Sequence, residues 1–277
     1  MFDFLSNFFQ KKHIDLFGVL PLSACRVVRP YLLERAGISD GSILILAIPY
    51  YTRAAAEKRN ISAYAVPRDY HRFFASLFEE LLPKLAERFP EERFAAFADH
   101  SPIDEIEAAA RASLGVIGRN HMLITEKYSS YVFLGELVTT AHLPSNPIAV
   151  RTCHACGACM RACPAPDLGG VCLSALTQKK GDLTDAERAA IRRYGSAWGC
   201  DICQEACPYT KKALESGSIY SPIPFFEEHT ISHLSTEILD NMNDEEFEKR
   251  AFAWRTRATV ARNLAILESK GEEGCST

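Results

Sequence analysis

Cys153-His154-Ala155-Cys156-Gly157-Ala158-Cys159-Met160-Arg161-Ala162-Cys163-Pro164 is the stretch on which the reading of this chain turns. Three cysteines stand at intervals of two intervening residues, and a fourth follows after three more, just before a proline. This is the C-x2-C-x2-C-x3-C-P run that binds 4Fe-4S clusters, and in two-cluster proteins its fourth cysteine serves the other cluster. The spacing has a physical cause. Three thiolates in one tight loop reach three irons of a cubane. The fourth, displaced past a turn, points toward a second cubane, and the proline keeps the chain from blocking the site.

A second copy is therefore expected, and it is present with a gap. Cys200-x2-Cys203-x3-Cys207-Pro208 supplies its last three positions. The first would fall on Ala197, which cannot ligate, and Cys172 between the runs fills the vacancy. Cluster one then takes Cys153, Cys156, Cys159 and Cys207; cluster two takes Cys163, Cys172, Cys200 and Cys203. Structural zinc also uses paired C-x2-C, but zinc accounts neither for the three-plus-one grouping nor for two Cys-Pro endings. Cys25 reads as a small core residue and Cys275 as part of a frayed tail.

The 277 residues are too many for a cluster module alone, so the first half should hold what receives the electrons. Hydrophobic residues make up 47% and the formal net charge is −4, which argues against disorder and advertises no broad nucleic-acid face. No apolar run is long enough to span a bilayer. Met1 to Phe17 reads as an amphipathic surface helix, not a secretory signal. Ten cysteines without a secretory signal predict a cytoplasmic metalloprotein, off the membrane and monomeric.

Ser42 to Tyr51 (SILILAIPYY) reads as a strand buried on both faces. Phe73, Phe74, Leu77, Leu81 and Leu85 predict a helix over Tyr70 to Phe89, kinked at Pro83. Phe94 to Ala98 and Tyr131 to Leu143 read as strands. Ser101 is expected as an N-cap, with Pro102 at the first helical position and Asp104 closing a capping box, the helix running to about Leu114. A Pro/Asn/Ser linker falls at Pro144 to Pro147, the chain turns irregular after Pro208, and a last helix is expected over Asp244 to about Ser269.

No Gly-x-Gly-x-x-Gly and no phosphate-cradling Gly-Lys-Ser/Thr loop is present, so cofactors bound by those motifs are unsupported. Asp69-Tyr70-His71 opens like the Asp-x-His-x-x-Gly signature for a cobalt-ligating histidine, but Phe74 replaces the glycine. His71 then reads as a polar residue at a helix start.

Arg68-Asp69-Tyr70-His71, Asp99-His100-Ser101-Pro102-Ile103-Asp104-Glu105, Leu114-Gly115-Val116-Ile117-Gly118-Arg119-Asn120, Phe133-Leu134-Gly135-Glu136-Leu137 and Gly199-Cys200-Asp201-Ile202-Cys203-Gln204 follow in this order. Together they resemble the epoxyqueuosine reductases, over roughly Ser42 to Pro208 with a weaker echo in Arg257 to Ile266. The resemblance implies an α+β protein. A cobalamin-binding α/β domain (1–147) would be fused to a ferredoxin-like domain with two 4Fe-4S clusters (148–212), with a short helical segment (213–277). It implies base-off cobalamin without a protein ligand on cobalt, fed with electrons by the clusters. Reduced cobalt would drive loss of the epoxide oxygen as water, the last step of queuosine formation in tRNA, and by position Asp99 would donate a proton. Asn120, Leu134, Gly135 and Ser174 would lie near the cobalamin. The partners implied are tRNA and an external electron donor.

At Asp99 a helix N-terminus would favour the ionised carboxylate, whereas a proton donor needs its pKa raised by burial; the other reading is a simple helix-start carboxylate. Departures from the family pattern are Ile106 in place of arginine, and Ala175 and Lys179 where a tyrosine and a glutamate are usual. A C-terminal helical-repeat module that grips tRNA in longer members is not expected. Arg250, Arg255, Arg257 and Arg262 form a basic stretch that would meet phosphates or simply face solvent. Three functions stay open: epoxyqueuosine reductase, a related cobalamin-dependent reductase of a non-tRNA substrate resembling reductive dehalogenases, and a non-catalytic iron–sulfur carrier or cobalamin-handling protein.

Overall fold

A computed structural model describes residues 1–269, so Cys275 lies outside the described residues. Four strands form the main sheet in the order β1 (Phe17–Pro21), β2 (Ser42–Pro49), β6 (Val132–Thr139), β3 (Phe94–Ala98), every neighbouring pair antiparallel. β4 (Val116–Ile117) and β5 (Leu123–Ile124) make a separate hairpin.

β2 is buried at all eight positions, as its apolar run predicts. Alternate side chains leave a strand on opposite faces, and here helices cover both. Leu44, Leu46 and Ile48 join Phe74, Leu77 and Leu81 of the helix Tyr70–Arg88. Ile43, Ile45 and Ala47 join Ala108, Ala109 and Ala110 of the helix Glu105–Arg111. Each fully buried Leu, Ile or Phe contributes about 1.5–3 kcal/mol relative to exposure. The first core also takes in Trp198 and, from the C-terminal segment, Phe226, Leu234, Phe252 and Leu264.

The helix Tyr70–Arg88 carries Pro83 inside it and is capped by Asp69, whose side chain accepts from the His71 backbone. The helix expected from Ser101 starts later. Ser101 Oγ accepts from the Ile103 backbone N–H in a tight turn, and Asp104 caps a helix of only Glu105–Arg111. Ile103 is held by a bridge to Val27, which keeps residues 101–103 out of the helix.

Pro208 opens a helix, Pro208–Glu215, rather than ending order; proline is well suited to a first helical turn. The long last helix is two, Asp244–Glu248 and Arg257–Glu268. Between them Arg250 is buried, donating to the carbonyls of Val66 and His229. Arg257 and Arg262 likewise donate to backbone carbonyls, of Leu239 and of Lys179 and Gly181. Three of the four arginines of the basic stretch are thus spent on holding this segment down. Arg255 instead lies over the exposed Trp254 ring, 3.6 Å from its centroid.

Asp201 fastens the second cysteine run to the first half. Its buried carboxylate accepts from Ser62 Oγ, from the Ala63 backbone at 2.6 Å, from Arg59 at 3.1 Å and from Gln204 at 3.1 Å. Asp201→Ala would leave the poorly exposed Arg59 guanidinium partly uncompensated. We expect a loss of about 3–5 kcal/mol in urea unfolding; a loss below about 1 kcal/mol would show that this network does not hold the two parts together.

Candidate active site and cysteine centres

The loop Cys153–Cys159 curls because Ala155 and Gly157 both adopt left-handed backbone (φ +53° and +78°). Glycine adopts that conformation freely, whereas alanine is held there against its preference. The curl turns Cys153, Cys156 and Cys159 onto one cavity of about 70 Å³, which Cys207 also lines. Tyr209 and His154 stack beside it with ring centroids 5.7 Å apart.

Cys163, Cys172, Cys200 and Cys203 gather separately. Burial pushes the Cys200 thiol up to about 12, and the charges of Asp201, Cys203 and Cys172 add to it. Burial likewise raises Cys203, which is close enough to feel Cys163, Asp201 and Cys172. Thiols crowded in this way resist ionisation unless a cation compensates. The cysteines therefore fall into two quartets, and Cys163 and Cys207 each stand with the run that is not their own. Among the described residues no group of three or more His, Cys, Asp or Glu side chains is arranged around a single metal ion. A cubane asks for something different, since its four irons keep the thiolates apart from any common point. Both quartets fit that demand in donor type and number.

The β4–β5 hairpin connects these centres to the sheet. The Cys153 backbone donates to Ile117, and Gly118 donates to Met122 across the hairpin tip. Asn120, at that tip, lines the first quartet's cavity and points Nδ2 at Cys203 Sγ, 3.9 Å away. The other face of the hairpin presents Met122 and Leu123 to a cavity of about 280 Å³, completed by Tyr70, Asp99, Glu105, Ile106, Ser130 and Val132 to Leu134.

Asp99 enters this cavity from the turn after β3. Its backbone is left-handed (φ +65°), which swings the side chain off the strand, and that side chain is 70% exposed. His71 Nε2 stands 3.8 Å from its carboxylate. A hydrogen bond to Asp69 raises the His71 pKa against its partial burial, with the charges of Asp69 and Asp99 adding to the rise. Asp99 thus sits five residues and a turn before the Glu105 helix, so the expected conflict with a helix dipole does not arise.

The four expected cobalamin contacts are not gathered in one place. Leu134 lines the Asp99 cavity and Asn120 faces the cysteines. Gly135 pairs with Ala98, and a Cβ on it would stand 2.3 Å from Phe74, so packing alone demands glycine there. Ser174 accepts from Gln178 Nε2 at 3.0 Å within its own short helix. A whole corrinoid exceeds 280 Å³, but Ile106 also borders a second cavity of about 470 Å³ reaching His121 and Val150. The apolar wall of Met122, Leu123, Val132, Phe133 and Leu134 suits the face of a macrocycle. Ile106, where the family pattern has arginine, removes a charge from the boundary of the two cavities.

Three features escaped the sequence reading. His71 is a neighbour of Asp99. Behind it stand the buried Glu136 and the half-buried Glu105, whose Oε1 is out of solvent. Asn263, fully buried, donates to the carbonyls of Thr177 and Ala197 and so ties the last helix to the second quartet. For Asn263 a signal existed in the Arg262-Asn263-Leu264 echo.

A family model described as epoxyqueuosine reductase QueG, DUF1730, matches residues 39–100. The chain is 32% identical to the epoxyqueuosine reductase of Gloeobacter violaceus over 75% of its own length and 68% of the relative's. With the Pseudomonas aeruginosa enzyme the identity is 34%, over 70% of this chain and 55% of that one. The fold matches epoxyqueuosine reductase from Streptococcus thermophilus with a TM-score of 0.73 at 20% identity, covering 96% of this chain and 80% of that one. It also matches an epoxyqueuosine reductase solved with an epoxyqueuosine-modified tRNA-Tyr stem loop, with a TM-score of 0.72 at 23% identity, covering 96% and 81%.

Proposed function

Because the chain belongs to the epoxyqueuosine reductase family, we propose that it reduces epoxyqueuosine to queuosine in tRNA using two 4Fe-4S clusters and base-off cobalamin. It is an oxidoreductase of queuosine formation. The observation that carries the reading is the hairpin carrying Asn120 and Met122, one side on the first quartet's cavity and the other on the cavity of Asp99. Electron supply and proton supply meet across one thin element.

In this reading Cys153, Cys156, Cys159 and Cys207 hold one cluster, and Cys163, Cys172, Cys200 and Cys203 the other. Asn120 hydrogen-bonds a cluster thiolate and so tunes its potential. Leu134 and its apolar neighbours exclude water from the reacting carbons. Asp99 donates a proton from its carboxyl to the departing oxygen, with His71 standing beside it. When bound, cobalamin supplies a strongly reducing metal and the clusters supply electrons one at a time. The donor to the clusters is an external low-potential electron carrier, and a cytoplasmic setting keeps the thiols reduced. No helix among the described residues is long and apolar enough to cross a membrane.

Anaerobically reconstituted protein, given cobalamin, a strong reductant and epoxyqueuosine-containing tRNA, should yield queuosine on digestion and mass spectrometry. Omitting cobalamin should remove the product. If both clusters and cobalamin are bound and no queuosine forms, the substrate lies elsewhere, and a cobalamin-dependent reductase of a small molecule becomes the better reading.

A further inference from the structure

Glu136, on β6, is fully buried, and among the described residues neither of its carboxyl oxygens has a hydrogen-bond donor. Glu105 Oε1 is also buried and unpartnered. The two carboxyls are close enough to shift one another's ionisation. Two ionised carboxylates in this position would repel in a low-dielectric setting. One proton between them turns the pair into a donor and an acceptor and satisfies both.

The surroundings favour that proton. Burial pushes Glu105 up to about 7, with the Asp99 charge adding to the rise and Arg29 opposing it. Burial and then the Glu105 charge push Glu136 well above the usual carboxylate range. Tyr70 faces Glu105 and Cys25 faces Glu136, both held neutral by burial. Among the described residues the cation facing the pair is Arg29, which also donates to the Ser101 carbonyl at 2.9 Å.

Glu105 lines the same cavity as Asp99 and feels its charge. We propose that Glu105 and Glu136 share one proton and reload Asp99 with it during turnover, as positioning residues behind the proton donor. This inference rests on the reading of the site as an epoxide-reducing centre. Converting an epoxide to an alkene breaks both C–O bonds, forms one C=C π bond and releases the oxygen as water. It consumes two electrons, from a low-potential one-electron donor acting twice, and two protons. Asp99 is the group that hands the first proton to the departing oxygen. The second comes from the carboxyl pair, through Glu105 and a water in a cavity roomy enough for it. Solvent at the cavity mouth then restores the pair.

The test has a readout independent of substrate and cobalamin. Infrared spectra of the full chain should show the C=O stretch of a protonated carboxylic acid at neutral pH, shifting in D2O and fading as pH rises. The band should be absent in Glu136→Gln and in Glu105→Gln. In the loaded enzyme Glu136→Gln should lower turnover at least about tenfold and move the alkaline fall of the pH profile to lower pH, because the amide stabilises ionised Glu105. Absence of the band in the wild type, or its survival in both variants, would overturn the proposal. If Glu136→Gln does not fold, the band in Glu105→Gln decides alone. The band lost as expected, without queuosine formation, would keep the shared proton and discard the substrate.

Discussion

Asp99→Asn protein should fold as well as the parent, keep both clusters and cobalamin, and lose turnover by about 10²- to 10⁴-fold, the usual share of a positioned general acid. The expectation rests on where Asp99 stands. Its left-handed backbone is one that Asn tolerates best among non-glycine residues, so the turn after β3 survives. Its side chain is largely exposed, so the core does not notice the change. What disappears is a transferable proton beside His71. Iron analysis, cobalamin absorbance and thermal unfolding check the first half of the prediction; single-turnover conversion of epoxyqueuosine checks the second. Retention of more than about a third of the parent's rate would remove Asp99 from the chemistry, because an amide cannot act as a general acid.

Single cysteine replacements should divide according to the quartets and not according to sequence. Cys163→Ser is expected to abolish the same electron paramagnetic resonance signal as Cys200→Ser, although Cys163 ends the first run. Cys207→Ser should match Cys153→Ser. Each change should remove about half of the bound iron and almost all turnover, since a cubane with three thiolates is labile and an interrupted wire delivers nothing. The structural ground is the electrostatic neighbourhood of Cys203, which includes Cys163 and Cys172, and the cavity that Cys207 shares with Cys153, Cys156 and Cys159. If Cys163→Ser behaved like Cys156→Ser, the exchanged pairing would be wrong.

What could be read from the sequence is what repeats locally. β2, the helix beginning at Tyr70 and the strand Phe94–Ala98 follow from apolar periodicity and a good cap, and the cysteine grouping follows from spacing. Ser101 misled because its hydroxyl serves equally well in a short turn, and it took the distant Val27 to hold Ile103 in that turn. Arg250 looked like part of a basic face because its two carbonyl partners, on Val66 and His229, are far away in sequence or on a loop. Nothing local to Phe133-Leu134-Gly135-Glu136-Leu137 marks Glu136 as a buried carboxyl. Only the sheet register, with Glu136 opposite Phe97 and Ile45, brings it in beneath the helix that carries Glu105. Properties made by two distant segments have no local signature.

The exchange of Cys163 and Cys207 between the runs also sets an order of events in biosynthesis. Neither centre can be completed by a contiguous stretch of nascent chain. A ribosome must release residues through Cys203 before one set of ligands exists and through Cys207 before the other does. In the proposed reading each finished cubane would tie the two loops together like a buckle across a strap. Iron delivery is expected to be late at both centres.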